Sequence, residues 1–176
     1  MKISIVTVAF NAEATIAEAV ASVVGQRQTG FELEYIIVDG ASSDGTLAAL
    51  EPYRNGITHI ISEPDRGLYD AMNKGIATAT GDFIGILNAD DAYAHIGVLA
   101  AVAARLEETS AKALYGDLDY VAADGSGRVV RRWRSGETGP RSFLQGWMPP
   151  HPTFFLARSM YTSHGVYSLE LRSAAD

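Results

Sequence analysis

The sequence has no cysteine, which excludes disulfide staples and thiolate metal sites. Its four histidines lack the spacing of a zinc site, so a metal used here must be a hard cation bound through oxygen. Long apolar runs are missing too. Stretches such as residues 83–87 are far too short to span a bilayer, and Met1-Lys2 leads straight into a strand-like run instead of a signal peptide. The expected location is cytoplasmic, with peripheral association at the inner face of the cell membrane left open. Positive charge is scarce: 14 Lys and Arg against 21 Asp and Glu give a formal net charge of -7. No nucleic-acid partner is expected from that balance, although Arg128, Arg131, Arg132 and Arg134 form a local basic cluster. A single nucleotide suits it better than a polymer of nucleotides.

What is present is a chain of 176 residues, 47% hydrophobic, long enough to bury a core and short enough for one domain. Residues 3–8 form a β-branched run without charge, and residues 35–38, 57–61 and 83–87 repeat that short apolar style. They read as buried parallel strands. Helical spacing lies between them, at Ile16, Val20, Val23 and Val24, at Leu47 and Leu50, and at Met72, Ile76 and Ala79. Such βαβαβαβ order builds a parallel sheet covered by helices, with ligands beyond the carboxyl ends of the strands. Polar residues follow each strand there: Asn11, Asp39, Asp65 and the pair Asp90-Asp91. Residues 98–106 read as a helix, residues 113–115 open another strand, and Asp124-Gly125 marks a hairpin turn. Residues 136–152, rich in Gly and Pro and carrying Trp147, read as a long loop that closes over a ligand. The plain alternative is that Trp147 packs onto the sheet.

Residues 40–45 have the G-x-x-x-x-G spacing of a phosphate-binding loop, but Thr46 stands where that loop needs Lys. The turn after the first strand, Asn11-Ala12-Glu13-Ala14, has no glycine to admit a pyrophosphate in the dinucleotide-binding manner. Asp44 reads most simply as a helix cap. Asp39, ending a buried strand before Gly40, has the chemistry to accept a hydrogen bond from a base ring N–H, as in uracil or thymine. Asp70, Asn73 and Lys74 share a helix face, which is either a polar pocket wall or an ordinary i, i+4 ion pair on solvent. In Asn88-Ala89-Asp90-Asp91, two acids directly after an apolar strand place hard oxygen ligands at the rim, suited to Mg2+ or Mn2+ holding a diphosphate. The competing reading is another helix cap.

The segments 6–11, 38–46, 63–75, 88–91 and 150–155, in that order, resemble the motifs of family 2 glycosyltransferases, in particular the subgroup serving exopolysaccharide and colanic-acid-type synthesis. The resemblance covers essentially the whole chain. It implies a GT-A fold, α/β with a mostly parallel central sheet flanked by helices. It further implies a hexosyltransferase that uses Mg2+ or Mn2+ and a nucleotide-diphosphate sugar, with a UDP-sugar favoured and a saccharide or lipid-linked saccharide as acceptor. Carried over residue by residue, Phe10, Asn11, Asp39, Asp65, Lys74, Asn88 and Asp90 fall in the nucleotide- and donor-binding motifs, and Asp90 with Asp91 in the metal-binding D-x-D region. Asn88 departs from the pattern, standing where the first Asp of D-x-D is usual. Trp147 and His151 fall on the acceptor or lid side. A late acid serves as general base in the family, and Asp176 is the candidate. The amphipathic segment usual after that acid is missing, so residues 1–176 read as one GT-A domain truncated at its C-terminus.

The implied chemistry is inverting: a carboxylate takes the acceptor proton while a metal neutralises the departing nucleoside diphosphate. Two rivals stand beside it. A nucleotidyltransferase would carry a glycine-rich, basic loop after the first strand, where this chain has residues 11–14. A non-catalytic nucleotide-sugar-binding or partner-binding module would bind the donor and turn over nothing.

Overall fold

The computed structural model describes residues 1–139 and 141–171. Eight strands and five α-helices follow one another as β1 (Lys2–Ala9), α1 (Ile16–Val24), β2 (Glu32–Asp39), α2 (Thr46–Leu50), β3 (His59–Ser62), α3 (Leu68–Thr78), β4 (Phe83–Asn88), α4 (Val98–Thr109), β5 (Ala113–Leu114), β6 (Leu118–Val121), β7 (Val129–Trp133), β8 (Phe155–Ala157) and α5 (Arg158–His164). Six strands form one sheet in the order β3-β2-β1-β4-β8-β5, and β6 and β7 form a separate antiparallel ribbon. The strands β3, β2, β1 and β4 run parallel.

Period-two alternation divides the core into two layers. Ile3, Ile5, Tyr35, Ile37 and Leu87 meet Ile16, Val20 and Val23 of α1 and Leu99 and Ala103 of α4 on one face. Val6, Val8, Ile36, Val38, Ile84 and Ile86 meet Ala71, Met72 and Ile76 of α3 on the other. At the sites of closest approach glycine is required: a Cβ on Gly75 of α3 would stand 2.2 Å from Val6 Cγ1.

The four parallel strands and four helices lie where hydrophobic spacing puts them, with three differences. The third strand starts at His59, because Ile57 is buried at the end of a 3-10 turn (Glu51–Gly56); it is a half-exposed edge strand instead of a buried one. The sheet is mixed, since β8 inserts antiparallel between β4 and β5. The segment 136–152 holds a 3-10 turn at Phe143–Gln145 and the start of another at His151–Thr153, so it is less irregular than its composition suggests. The hairpin around Asp124-Gly125 forms as expected.

Candidate nucleotide and metal site

The carboxyl ends of β1, β2 and β4 meet at one rim. Ala9 is in register with Asp39, and Val8 is paired with both Val38 and Asn88. Asp39 and Asn88 are therefore separated by one strand, roughly 10 Å at ordinary strand spacing.

Asp39, the last residue of β2, is fully buried. Its Oδ2 accepts from the Ser42 amide at 3.1 Å and the Ser62 hydroxyl at 2.6 Å. Its Oδ1 is also buried but has no partner among the described residues. A buried carboxylate oxygen left unpaired costs enough that a ligand donor is its natural complement. Gly40 follows, and here absence of a side chain matters: a Cβ would stand 2.5 Å from Asp65 Oδ2 and 3.3 Å from the Phe10 ring. Asp65 is held by the Gly67 amide, which donates to Oδ1 at 2.8 Å across a turn where Gly67 has φ 112°. Phe10, Gly40, Pro64, Asp65, Gly67 and Leu68 thereby line a cleft of about 400 Å³ beside Asp39, with the Phe10 ring largely exposed at its edge.

Asn11 braces this cleft from behind. It sits at φ 49°, which Asn tolerates better than most residues, and its side-chain oxygen accepts from the Ser43 amide at 2.9 Å. Its own amide donates to Ser42 Oγ at 2.8 Å. Asp44 precedes α2, whose cap position is Gly45, and accepts from the Thr46 and Glu13 amides at 3.0 and 3.1 Å. Asp44 thus stitches two loops together. Lys74 Nζ lies 2.9 Å from Glu63 and donates to the Pro64 carbonyl at 2.8 Å, whereas Asp70 is 3.9 Å away. The helix-face ion pair is therefore minor, and Lys74 ties α3 to the loop that carries Asp65.

At the end of β4, Asn88 Nδ2 donates to Asp91 Oδ2 at 3.2 Å, while Asn88 Oδ1 is buried without a partner among the described residues. Asp90 is exposed and Asp91 half-buried. Burial raises the Asp91 pKa, the neighbouring Asp90 charge raises it further, and the Asn88 hydrogen bond offsets part of this. Among the described residues no group of three His, Cys, Asp or Glu could by itself hold a metal ion. The donors that remain, Asp90 and the Asn88 amide oxygen, are hard and few. They fit a cation whose shell is completed by phosphate oxygens and water.

His151 begins a 3-10 turn packed on the end of β4, and its ring lies 6.2 Å from that of Tyr167. Trp147 is half-buried: Nε1 donates to the Ser135 carbonyl at 3.0 Å, and the ring meets Tyr115 and Phe143 edge-on at 5.1 and 5.5 Å. It anchors its loop to the stem of the β6–β7 ribbon. Asp176 lies outside the described residues.

Three features escape a reading of the sequence. Ser42 and Ser62 fix the Asp39 carboxylate. Asn73 grips the Tyr167 backbone at 2.8 and 3.0 Å. Met148, His151, Phe154, Met160, Tyr161 and Tyr167 line a second, apolar cleft of about 280 Å³. Ser62 stands 23 residues from Asp39 and Tyr167 94 from Asn73, so these pairings leave no local signal, although Asn73 stands out as a polar residue on the α3 face.

The glycosyl transferase family 2 model matches residues 4–168. The chain belongs to that family. An uncharacterized glycosyltransferase of Mycobacterium tuberculosis is 35% identical over 99% of this chain, and a PGL/p-HBAD biosynthesis glycosyltransferase of the same species is 30% identical over 98%. The chain spans 65% and 66% of the length of these two relatives. Among solved structures, S. aureus TarS 1-349 in complex with UDP-GlcNAc superimposes with a TM-score of 0.79 at 25% identity, over 100% of this chain and 51% of that one. The mannosyltransferase PcManGT from Pyrobaculum calidifontis, in complex with GDP-Man and Mn2+, gives 0.71 at 18% identity over 96% and 48% of the two chains. The α/β architecture with its mostly parallel sheet is the GT-A fold that these structures share.

Proposed function

We propose that this family 2 chain carries the donor site and catalytic centre of an inverting hexosyltransferase, which moves a sugar from a UDP-sugar to a hydroxyl of a saccharide or lipid-linked saccharide with the help of Mg2+ or Mn2+. The observation that carries the reading is Asp39 Oδ1, buried and without a partner among the described residues, one position before Gly40, which lines a cleft edged by the Phe10 ring. A pyrimidine with a ring N–H supplies the missing donor. The diphosphate then reaches across the end of β1 toward Asn88 and Asp90. TarS binding UDP and UDP-GlcNAc supports the choice of uridine. The exopolysaccharide subgroup belongs to the same proposal and rests on the ordered motifs at residues 6–11, 38–46, 63–75, 88–91 and 150–155.

Asp39 and Asp65 orient the nucleoside, with Phe10 offering a stacking face. Asp90, with Asn88 Oδ1, would hold the cation, which lowers the charge of the leaving diphosphate. Asp91, hydrogen-bonded to Asn88, would fix that amide and add a second carboxylate to the residues that would hold the cation. Asp176 acts as base: the acceptor O–H proton passes to its carboxylate as the oxygen bonds to the anomeric carbon and the bond to the diphosphate oxygen breaks. His151, which lines the apolar cleft, is assigned to the acceptor side, and Trp147 anchors the loop that carries it, that loop closing on substrate.

The test is turnover of UDP-sugars by the full-length protein with Mn2+, comparing wild type with Asp176→Asn. Loss of ~10²–10⁴-fold in rate with UDP binding retained is expected for a base. A wild type that binds UDP and consumes no donor would instead make the chain a binding module.

A further inference from the structure

Among the described residues, the ribbon of β6 and β7 contributes to neither core layer and lines neither cleft. It differs from the rest of the molecule in charge. Residues 115–147 hold five arginines (Arg128, Arg131, Arg132, Arg134, Arg141) against four carboxylates (Asp117, Asp119, Asp124, Glu137). Of the 14 basic and 21 acidic residues in the chain, that leaves nine cations and seventeen carboxylates elsewhere. An anionic surface therefore repels the bulk of the protein and tolerates this part.

The arginines are available. Arg128–Asp124 and Arg132–Asp119 are exposed pairs at 4.0 and 3.9 Å, a geometry worth little in water; Arg134–Asp117 is tighter at 3.0 Å. Arg131 makes no ion pair among the described residues and lies 5.2 Å from the Tyr120 ring and 5.7 Å from the Trp133 ring. Alternation puts Arg131 with Tyr120 and Trp133 on one face of the ribbon and Arg132 with Val130 on the other, and toward its tip Val121 is 58% and Val130 54% exposed. The turn at Phe143–Gln145 adds a second apolar projection, with Leu144 87% exposed, and Trp147 fastens that turn to the ribbon's stem through the Ser135 carbonyl. Arginine beside exposed aliphatic and aromatic side chains is the composition of a bilayer-interface contact, in which guanidinium groups meet lipid phosphates and apolar groups enter the headgroup boundary.

We infer that the β6–β7 ribbon and the 143–145 turn together seat this protein on an anionic phospholipid surface. No helix among the described residues is long and apolar enough to cross a membrane, so the contact is peripheral. The inference does not depend on the donor or on catalysis.

Co-sedimentation of the full-length protein with phosphatidylcholine vesicles, and with vesicles of equal parts phosphatidylcholine and phosphatidylglycerol, tests it. Binding only to the anionic vesicles, weakened by salt, is expected. Each arginine neutralised in Arg131→Gln and Arg132→Gln should weaken it by about fivefold. Leu144→Ser should weaken it too; circular dichroism stays unchanged in all three variants, and UDP binding in the two arginine variants. Absence of binding to anionic vesicles overturns the inference, as does wild-type vesicle binding by the arginine variants. Binding to a soluble phosphate-bearing polysaccharide but not to vesicles, or self-association abolished by Val121→Asp, would also overturn it, reassigning the surface to a polymeric acceptor or a second copy.

Discussion

Asp39 shows how a single side chain can be both built into the fold and left open for a ligand. Two hydrogen bonds fix one of its oxygens, and the other is buried without a donor. Asp39→Asn removes the charged acceptor while keeping the shape. It should weaken UDP binding by ~10–100-fold, the worth of one hydrogen bond to a charged group, without removing the response to Mn2+. An unchanged UDP affinity by calorimetry would disconnect Asp39 from the base. Asp91 makes a different demand. Its pKa is raised by burial and by Asp90, so its ionised form is the unfavourable one in the folded protein. Whatever stability this gives is present in acid, with Asp91 protonated, and is lost as pH rises through the folded pKa. Asp91→Asn should therefore raise the neutral-pH melting temperature of the ligand-free protein, and the gain should vanish on acidification. A lower melting temperature at neutral pH would show that the Asn88 hydrogen bond dominates. Asp39 and Asp90 were legible in the sequence because an acid after an apolar strand is a local pattern. Ser62, set 23 residues from Asp39, is not.

Among the elements, the amino end of the sheet is closed by one buried carboxylate. Glu34 of β2 accepts from Ser4 of β1 at 2.5 Å and from the Thr80 amide and hydroxyl at 2.7 and 2.5 Å, and it pairs with Lys2 at 3.0 Å. Burial alone would push its pKa up, but these hydrogen bonds prevail and hold it at about 2. This latch joins β1, β2 and the turn before β4 at the end of the sheet opposite the site. Its contribution is fully present above the ordinary glutamate value of 4.5 and is lost as pH falls from there through about 2. Glu34→Gln should cost about 2–3 kcal/mol in denaturant unfolding at neutral pH, the worth of hydrogen bonds to a charged group. The difference from wild type should shrink toward the acid limit; a constant difference would mean that packing and not charge sets the cost. Sequence spacing revealed β1, β2, β4 and the helices because each is long enough for its period to show. It missed β8, whose three residues carry no period and pair with a strand some 70 positions earlier. A trace of it was present in Gly85, inside β4, where a Cβ would stand 2.7 Å from the Phe155 ring.

For the molecule as a whole, the sheet brings three loops to one rim, and α3 fastens the late chain to it through Asn73 and Tyr167. The rim and the cleft at Phe10 are assembled from residues 8–91, and the apolar cleft from residues 143–167. The first half could be read from the sequence because strand ends follow one another in order. The second depends on contacts such as His151 with Tyr167 and Asn73 with Tyr167, which only the folded chain reveals. The central claim is that the rim holding Asp39, Asn88 and Asp90 binds a uridine diphosphate with a divalent cation. Calorimetric titration of UDP into the folded full-length protein, with and without Mn2+, tests it most directly. The account requires saturable binding at one site, tighter with Mn2+ than without it, and loss of that Mn2+ response in Asp90→Ala. Absence of UDP binding to well-folded protein, or binding indifferent to both Mn2+ and Asp90, would contradict it.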